Sequence, residues 1–214
     1  MRSIVSRAWC YDDPAGDSMM TDAANRVQPE ARAAMRLSYE DYLAFPDDGQ
    51  RWELIDGKSF VSPAPGAKHQ GALFELTHFL GGYLRERSLG RAFIGPFNVI
   101  LSDMDAVQPD FLFLRNENLG RLKDTEVRGA PDLVVEVLSE STRRLDEKVK
   151  LGLYERCGIE EYWIVDPVLE TVEVRRRGEA GFGSPELLAR ETGHTLATPL
   201  LPGLEIPLAE LFSP

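Results

Sequence analysis

Three acidic residues stand in runs that are otherwise apolar. Asp110 follows Pro109 and precedes Phe111-Leu112-Phe113-Leu114, Glu136 lies within Leu133-Val134-Val135-Glu136-Val137-Leu138, and Glu53 lies within Arg51-Trp52-Glu53-Leu54-Ile55. A carboxylate is costly to bury unless it is paired or coordinates a metal. Taken singly, each reads first as a strand-end acid that caps a loop or pairs with an arginine. Together they point to a metal site. Two or three carboxylate oxygens completed by water suit Mg²⁺ or Mn²⁺, both hard, oxygen-preferring ions. With two cysteines and three histidines in 214 residues, a zinc site lacks its usual ligands.

A cation follows Glu136. Leu145, Val149, Leu153 and Cys157 recur every fourth residue and predict the core-facing stripe of a helix. Asp146, Lys150 and Tyr154 recur one residue on, at the edge of that face. From there a lysine can reach a neighbouring strand end while its stem packs on apolar surface. Spacing alone equally describes an ordinary Asp–Lys pair at i,i+4. His69, near the start of a predicted helix, reads either as a site-facing group that orients water or phosphate or as a histidine bonded to local backbone. Arg143 and Arg144 precede Lys150 and could meet backbone phosphates. Arg175, Arg176 and Arg177 read as a solvated hairpin end, with phosphate contact as the alternative.

The elements that must position these residues follow from local pattern. Ser38 with Glu40 and Asp41 predicts an N-cap and a short helix ending near Phe45. Asp56-Gly57 between 51–55 and 58–61 predicts a hairpin, which Pro63 and Pro65 end. A long helix is expected over about 67–87, with Leu73, Leu76, Leu80 and Leu84 in one stripe. Strands are expected at 91–94, 97–101, 107–114 and 132–138, the last apolar enough to be buried on both faces. A helix over 141–157 should close at Gly158. A hairpin follows across Asp166-Pro167, then one or two strands and a terminal helix near 208–212. This order predicts an α/β (α+β) chain, a mixed central β-sheet flanked by helices.

Length and composition bound the rest. The chain is long enough for one sizeable core, with 43% hydrophobic and 28% charged residues. No apolar run approaches the roughly 18 residues of a membrane span, and the N-terminus shows no apolar signal core. Cys10 and Cys157 are far apart, which favours a reducing, cytoplasmic setting. Residues 1–34 show no sustained period and are expected to be a poorly ordered extension of a domain over 35–214. Met19, Met20 and Met35 allow a downstream translation start. The net charge of −11 excludes a high-affinity, non-specific DNA coat. It leaves room for a nuclease, whose metal site needs clustered acids.

Pro109-Asp110 followed by Glu136-Val137-Leu138 resembles the PD-(D/E)XK motif. The segment VVEVLSESTRRLDEKVKLGLYERCGIEEYWIVDP resembles more specifically a bacterial branch of that superfamily, long filed as a domain of unknown function and described as restriction endonucleases. The match spans about 37–212 and takes in Glu53 of WELIDG, His69, Asp110, Glu136 with Ser139, and Asp146, Lys150 and Tyr154. The resemblance implies a restriction-endonuclease-like core and metal-dependent hydrolysis of DNA phosphodiester bonds. Asp110 and Glu136, with Glu53 directly or through water, would hold Mg²⁺. The triplet lysine is absent, with Leu138 in its place. The branch supplies the cation from the following helix, which gives Lys150 the role and leaves Lys148 as rival. Weak or transient DNA binding and a homodimer follow by analogy. A silent nuclease-fold module that binds nucleic acid or protein, and a phosphoesterase acting on small nucleotides, fit the same residues.

Overall fold

The computed structural model describes residues 36–46 and 48–213. The extension expected over 1–34, with Cys10 and the alternative starts, lies outside the described residues. Ser38 forms a capping box with Asp41 at α1 (Tyr39–Leu43). β1 (Arg51–Ile55) and β2 (Lys58–Ser62) form the expected hairpin. Its turn residues Asp56 and Gly57 both have positive φ, 52° and 67°, as a tight two-residue turn requires.

The long helix is α2 (Ala67–Arg85). It buries His69, Ala72, Leu73, Leu76, Leu80 and Tyr83, an i, i+3, i+4, i+7 face. Then come β3 (Gly90–Ile94), β4 (Asn98–Ser102), β5 (Asp105–Val107), β6 (Phe111–Arg115), β7 (Glu126–Arg128) and β8 (Leu133–Val137). A π-helical turn, Leu145–Lys150, runs into α3 (Leu151–Cys157), and Gly158 closes it at φ 85°. β9 (Glu161–Asp166), β10 (Thr171–Gly178), β11 (Gly181–Phe182), β12 (Glu186–Ala189), β13 (Thr195–Leu196), β14 (Ile206–Pro207) and α4 (Leu208–Leu211) complete the order.

Two sheets carry the architecture, and the chain is an α/β protein with mixed sheets flanked by helices. The larger sheet runs β11-β10-β9-β8-β6-β3, with β12 also on β10; the smaller runs β2-β1-β5-β4-β7. Most pairs are antiparallel, but β8–β9 and β4–β7 are parallel. Strand side chains alternate between faces. Phe111, Phe113, Leu133, Val135 and Trp163 pack with α2 in one core. Leu112, Leu114, Val134 and Ile164 pack with α3 and with Ile55, Val99 and Val107 of the smaller sheet in a second. The larger sheet is therefore covered on both faces, which explains why 132–138 reads as nearly continuous apolar sequence.

The structure corrects two expectations. The strand expected over 107–114 is broken, because β5 belongs to the smaller sheet and β6 to the larger. Gln108, Pro109 and Asp110 carry the chain between them, and Pro109 has no N–H to offer a ladder. At this crossing Gly95 donates its N–H to Asp110 O at 2.8 Å, and a Cβ on Gly95 would lie 2.6 Å from Pro109 O. The helix over 141–157 is also not uniformly α. Bonding from i to i+5 over its π-helical turn breaks the 3.6-residue phase.

Leu76→Ala is expected to cost about 2–5 kcal/mol by leaving a cavity under α2, measured by urea unfolding. Phe74→Ala, on the exposed side of the same helix, should cost within about 0.5 kcal/mol.

Candidate active site

Asp110 sits at the crossing between sheets, nearly fully buried. Its Oδ1 accepts from Arg51 Nη1 at 2.9 Å, and its Oδ2 accepts from Val137 N at 2.8 Å and meets His69 Nε2 at 3.1 Å. Burial opposes its charge, but the His69 hydrogen bond and the Arg51 guanidinium outweigh it and hold the carboxyl well below the usual range. Against a charged Asp110, His69 Nε2 must carry the proton it shares. Nδ1 is buried without a partner.

Glu136 comes from β8, on the face that packs the helix. Its Oε1 accepts from Lys150 Nζ at 2.9 Å and from Tyr154 Oη at 2.7 Å. Lys150 Nζ also lies 3.0 Å from Glu53 Oε1 and 3.3 Å from Asp146 Oδ1. Glu53 accepts from the Gln108 backbone N–H at 2.8 Å through that same oxygen, while its Oε2 is buried and unpartnered. Burial pushes Glu136 up to about 8, and its acidic neighbours add to this against the opposing charge of Lys150. Burial alone would lower Lys150, but Glu136, Glu53 and Asp146 hold it above the usual lysine range.

The structure thus brings all five sequence candidates, Glu53, His69, Asp110, Glu136 and Lys150, into one cluster. It changes the expected roles of the helix stripes. Leu153 is fully buried as expected, but Asp146, Lys150 and Tyr154 are buried too, whereas Leu145, Val149 and Cys157 are only half-buried. The helix packs on the charged seam between the sheets, so its polar stripe lies innermost. Lys148 is exposed. The basic run at 175–177 lies in β10 and is committed internally: Arg175 to Glu173, Arg176 to Glu161 and Glu186, and Arg177 to backbone carbonyls at 155 and 159. Arg143 is likewise held by Glu147 and Asp166. Sequence reasoning missed Arg51, whose only signal was its place beside Glu53 in β1.

A cavity of about 20 Å³ lies at the centre, lined by Arg51, His69, Asp110, Glu136, Asp146 and Lys150 among others. That is room for about one water-sized sphere. It adjoins a wider groove of about 520 Å³ that shares Arg51, His69 and Asp110 and is walled by Pro63, Pro65 and Leu73. Among the described residues, no three His, Cys, Asp or Glu side chains converge as a ready metal cage. The donor set fits a different kind of ion. Four carboxyl groups face two cations, Arg51 and Lys150. Three of those four, Asp110, Glu136 and Asp146, line the same small cavity, and Asp110 and Glu136 are the pair the sequence marked for a metal. One or two carboxylates with waters and substrate oxygens is the manner in which Mg²⁺ is held.

A family model described as "putative restriction endonuclease", named Uma2, matches residues 39–209. The chain belongs to this family. The matched span contains both sheets' central strands and every residue of the cluster. Among solved structures, a crystal structure of a "putative nuclease belonging to DUF820" from Anabaena variabilis is similar. Its TM-score is 0.70 at 22% identity, over 82% of this chain and 97% of that one. At that identity the likeness establishes a shared fold, and with the family match it supports the restriction-endonuclease-like superfamily. No curated protein matches the sequence. Among the described residues, no helix is long and apolar enough to cross a membrane.

Lys150→Met should cost about 3–5 kcal/mol, because it strands buried carboxylates without their cation. The pH dependence has a definite sign. Burial already raises Glu136 and Asp146, and losing the cation raises them further above their unfolded values. The native state then binds more protons than the unfolded one, and stability falls as pH rises. The deficit should be larger at pH 8 than at pH 5 in denaturant titrations of the two proteins.

Proposed function

We propose that the chain is a metal-dependent endodeoxyribonuclease of the restriction-endonuclease-like group. The observation that carries this reading is the shared small cavity. Asp110 enters it from the crossing just before β6, Glu136 from the neighbouring strand β8 and Lys150 from the following helix, and it adjoins a groove of about 520 Å³. Asp110 and Glu136 would hold one Mg²⁺ or Mn²⁺, with Glu53 placed to act through Lys150 or a water. The ion, when bound, would supply Lewis-acid activation of water and neutralise charge on the phosphate.

The remaining work falls to the chain's own side chains. Tyr154 fixes Oε1 of Glu136. Glu53 and Asp146 hold the Lys150 ammonium beside Glu136, where it can position the attacking water or meet charge developing on the phosphate. With Nε2–H given to Asp110, His69 leaves Nδ1 free to accept a proton or orient water. Arg143 and Arg175–Arg177 are already paired, which leaves exposed Arg144, of these sequence candidates, for the phosphate backbone. DNA binding should therefore be weak, transient and salt-sensitive. A homodimer working on both strands of a duplex in a reducing cytoplasm is part of the same proposal.

A second reading, a silent module that binds nucleic acid or protein, is favoured by one observation: all three cavity carboxylates already sit against protein cations. Supercoiled plasmid and single-stranded DNA incubated with Mg²⁺, Mn²⁺ or EDTA separate the two. Metal-dependent nicking is expected, reduced roughly 10²–10³-fold or more in Asp110→Ala, the scale set by losing one preorganised electrostatic group. Lys150→Ala should match that loss while Lys148→Ala retains activity. Tight DNA binding without metal and without product would establish the silent module instead.

A further inference from the structure

Arg51 faces two ways. It opens β1, its Nη1 donates to Asp110 Oδ1 at 2.9 Å, and its side chain lines both the small cavity and the wider groove. Its remaining nitrogens, Nε and Nη2, are buried with no hydrogen-bond partner. Orphaned charged donors are costly. The edge formed by Nε and Nη2 is also one from which a guanidinium takes two oxygens of a phosphate together. Beside it, His69 presents a third buried, unpartnered nitrogen, Nδ1.

Asp110 shows the complementary problem. Oδ2 is occupied by the Val137 N–H and by His69, so Oδ1 is the oxygen available to a cation, and Arg51 occupies it. A guanidinium and a divalent ion on one carboxylate oxygen repel each other strongly in a site this poorly solvated.

We infer that Arg51 is a resident counter-cation. It neutralises Asp110 in the metal-free protein, leaves the carboxylate when Asp110 takes a divalent ion, and then holds a phosphate of the bound strand in the groove through Nε and Nη2. The inference rests on the Asp110–Glu136 reading above. One side chain thereby links the two binding events, so metal and nucleic acid strengthen each other's binding reciprocally. The metal-free protein keeps its carboxylate paired and its phosphate-binding edge withheld.

The test is binding, not cleavage. Mn²⁺ affinity is measured by electron paramagnetic resonance for wild type and Arg51→Gln, and oligonucleotide affinity by fluorescence anisotropy with Ca²⁺ or EDTA. Removing the competitor should tighten Mn²⁺ binding about tenfold or more, and Ca²⁺ should no longer raise oligonucleotide affinity as it does in wild type. Arg51→Lys keeps the charge without the fork, and serves if the Gln variant does not fold. It should bind Mn²⁺ like wild type but bind the oligonucleotide about tenfold more weakly. Mn²⁺ affinity that is unchanged or weaker in Arg51→Gln overturns the exchange. Full Ca²⁺ enhancement in either variant overturns the phosphate role. A wild type that takes up no Mn²⁺ overturns the two-carboxylate reading itself, and this inference with it.

Discussion

The contact on which the rest of the molecule depends is the buried ammonium of Lys150, held within 3.3 Å of three carboxylates. Those carboxylates come from three layers: Glu53 from the smaller sheet, Glu136 from the larger, and Asp146 from the helix that carries the lysine. In a low-dielectric interior none of these charges is tolerable alone. The lysine therefore acts as a tie between elements that the apolar cores only bring near one another. Glu53 extends the tie by accepting the backbone N–H of Gln108, at the crossing that delivers Asp110. Stability and chemistry share the same atoms.

That sharing bears on how an acidic chain can work on a polyanion. The acids of the cluster are concentrated where a divalent ion would be held, and Arg143, at the start of the helix that carries Lys150, is bound to acids of its own. Affinity for the phosphate backbone is thus low without the ion. Such an arrangement favours contact made late, at the reacting phosphate, over adhesion along a duplex.

Much of the scaffold was legible because local rules and tertiary context agreed. Asp56-Gly57 named its own turn, Ser38 and Asp41 named a cap, and Leu133–Val137 announced a strand covered on both faces. The acids of the site were legible for the opposite reason: Glu53, Asp110 and Glu136 violated the apolar pattern around them. What stayed hidden depended on non-local geometry. Nothing in 107–114 says that its two halves belong to different sheets, although Pro109 marks the break. The Asp146–Lys150–Tyr154 stripe looked peripheral because hydropathy ranks leucine and valine ahead of charged residues, and the charged seam it faces is assembled from distant strands. Arg51 carried no local signal beyond its place near Glu53, since an arginine opening an edge hairpin is ordinary until its partner comes from residue 110.

The π-helical turn at Leu145–Lys150 has an evolutionary consequence. Each residue advances an α-helix by about 100°, so losing one residue from this turn would swing Lys150 away from Glu53 and Glu136. Descendants of this chain are free to exchange most side chains along the helix's outer surface but not to resize it. Lineages that diverge here should vary by substitution rather than by insertion or deletion between Ser139 and Tyr154, and length in that interval should drift less than in the turns joining the outer strands.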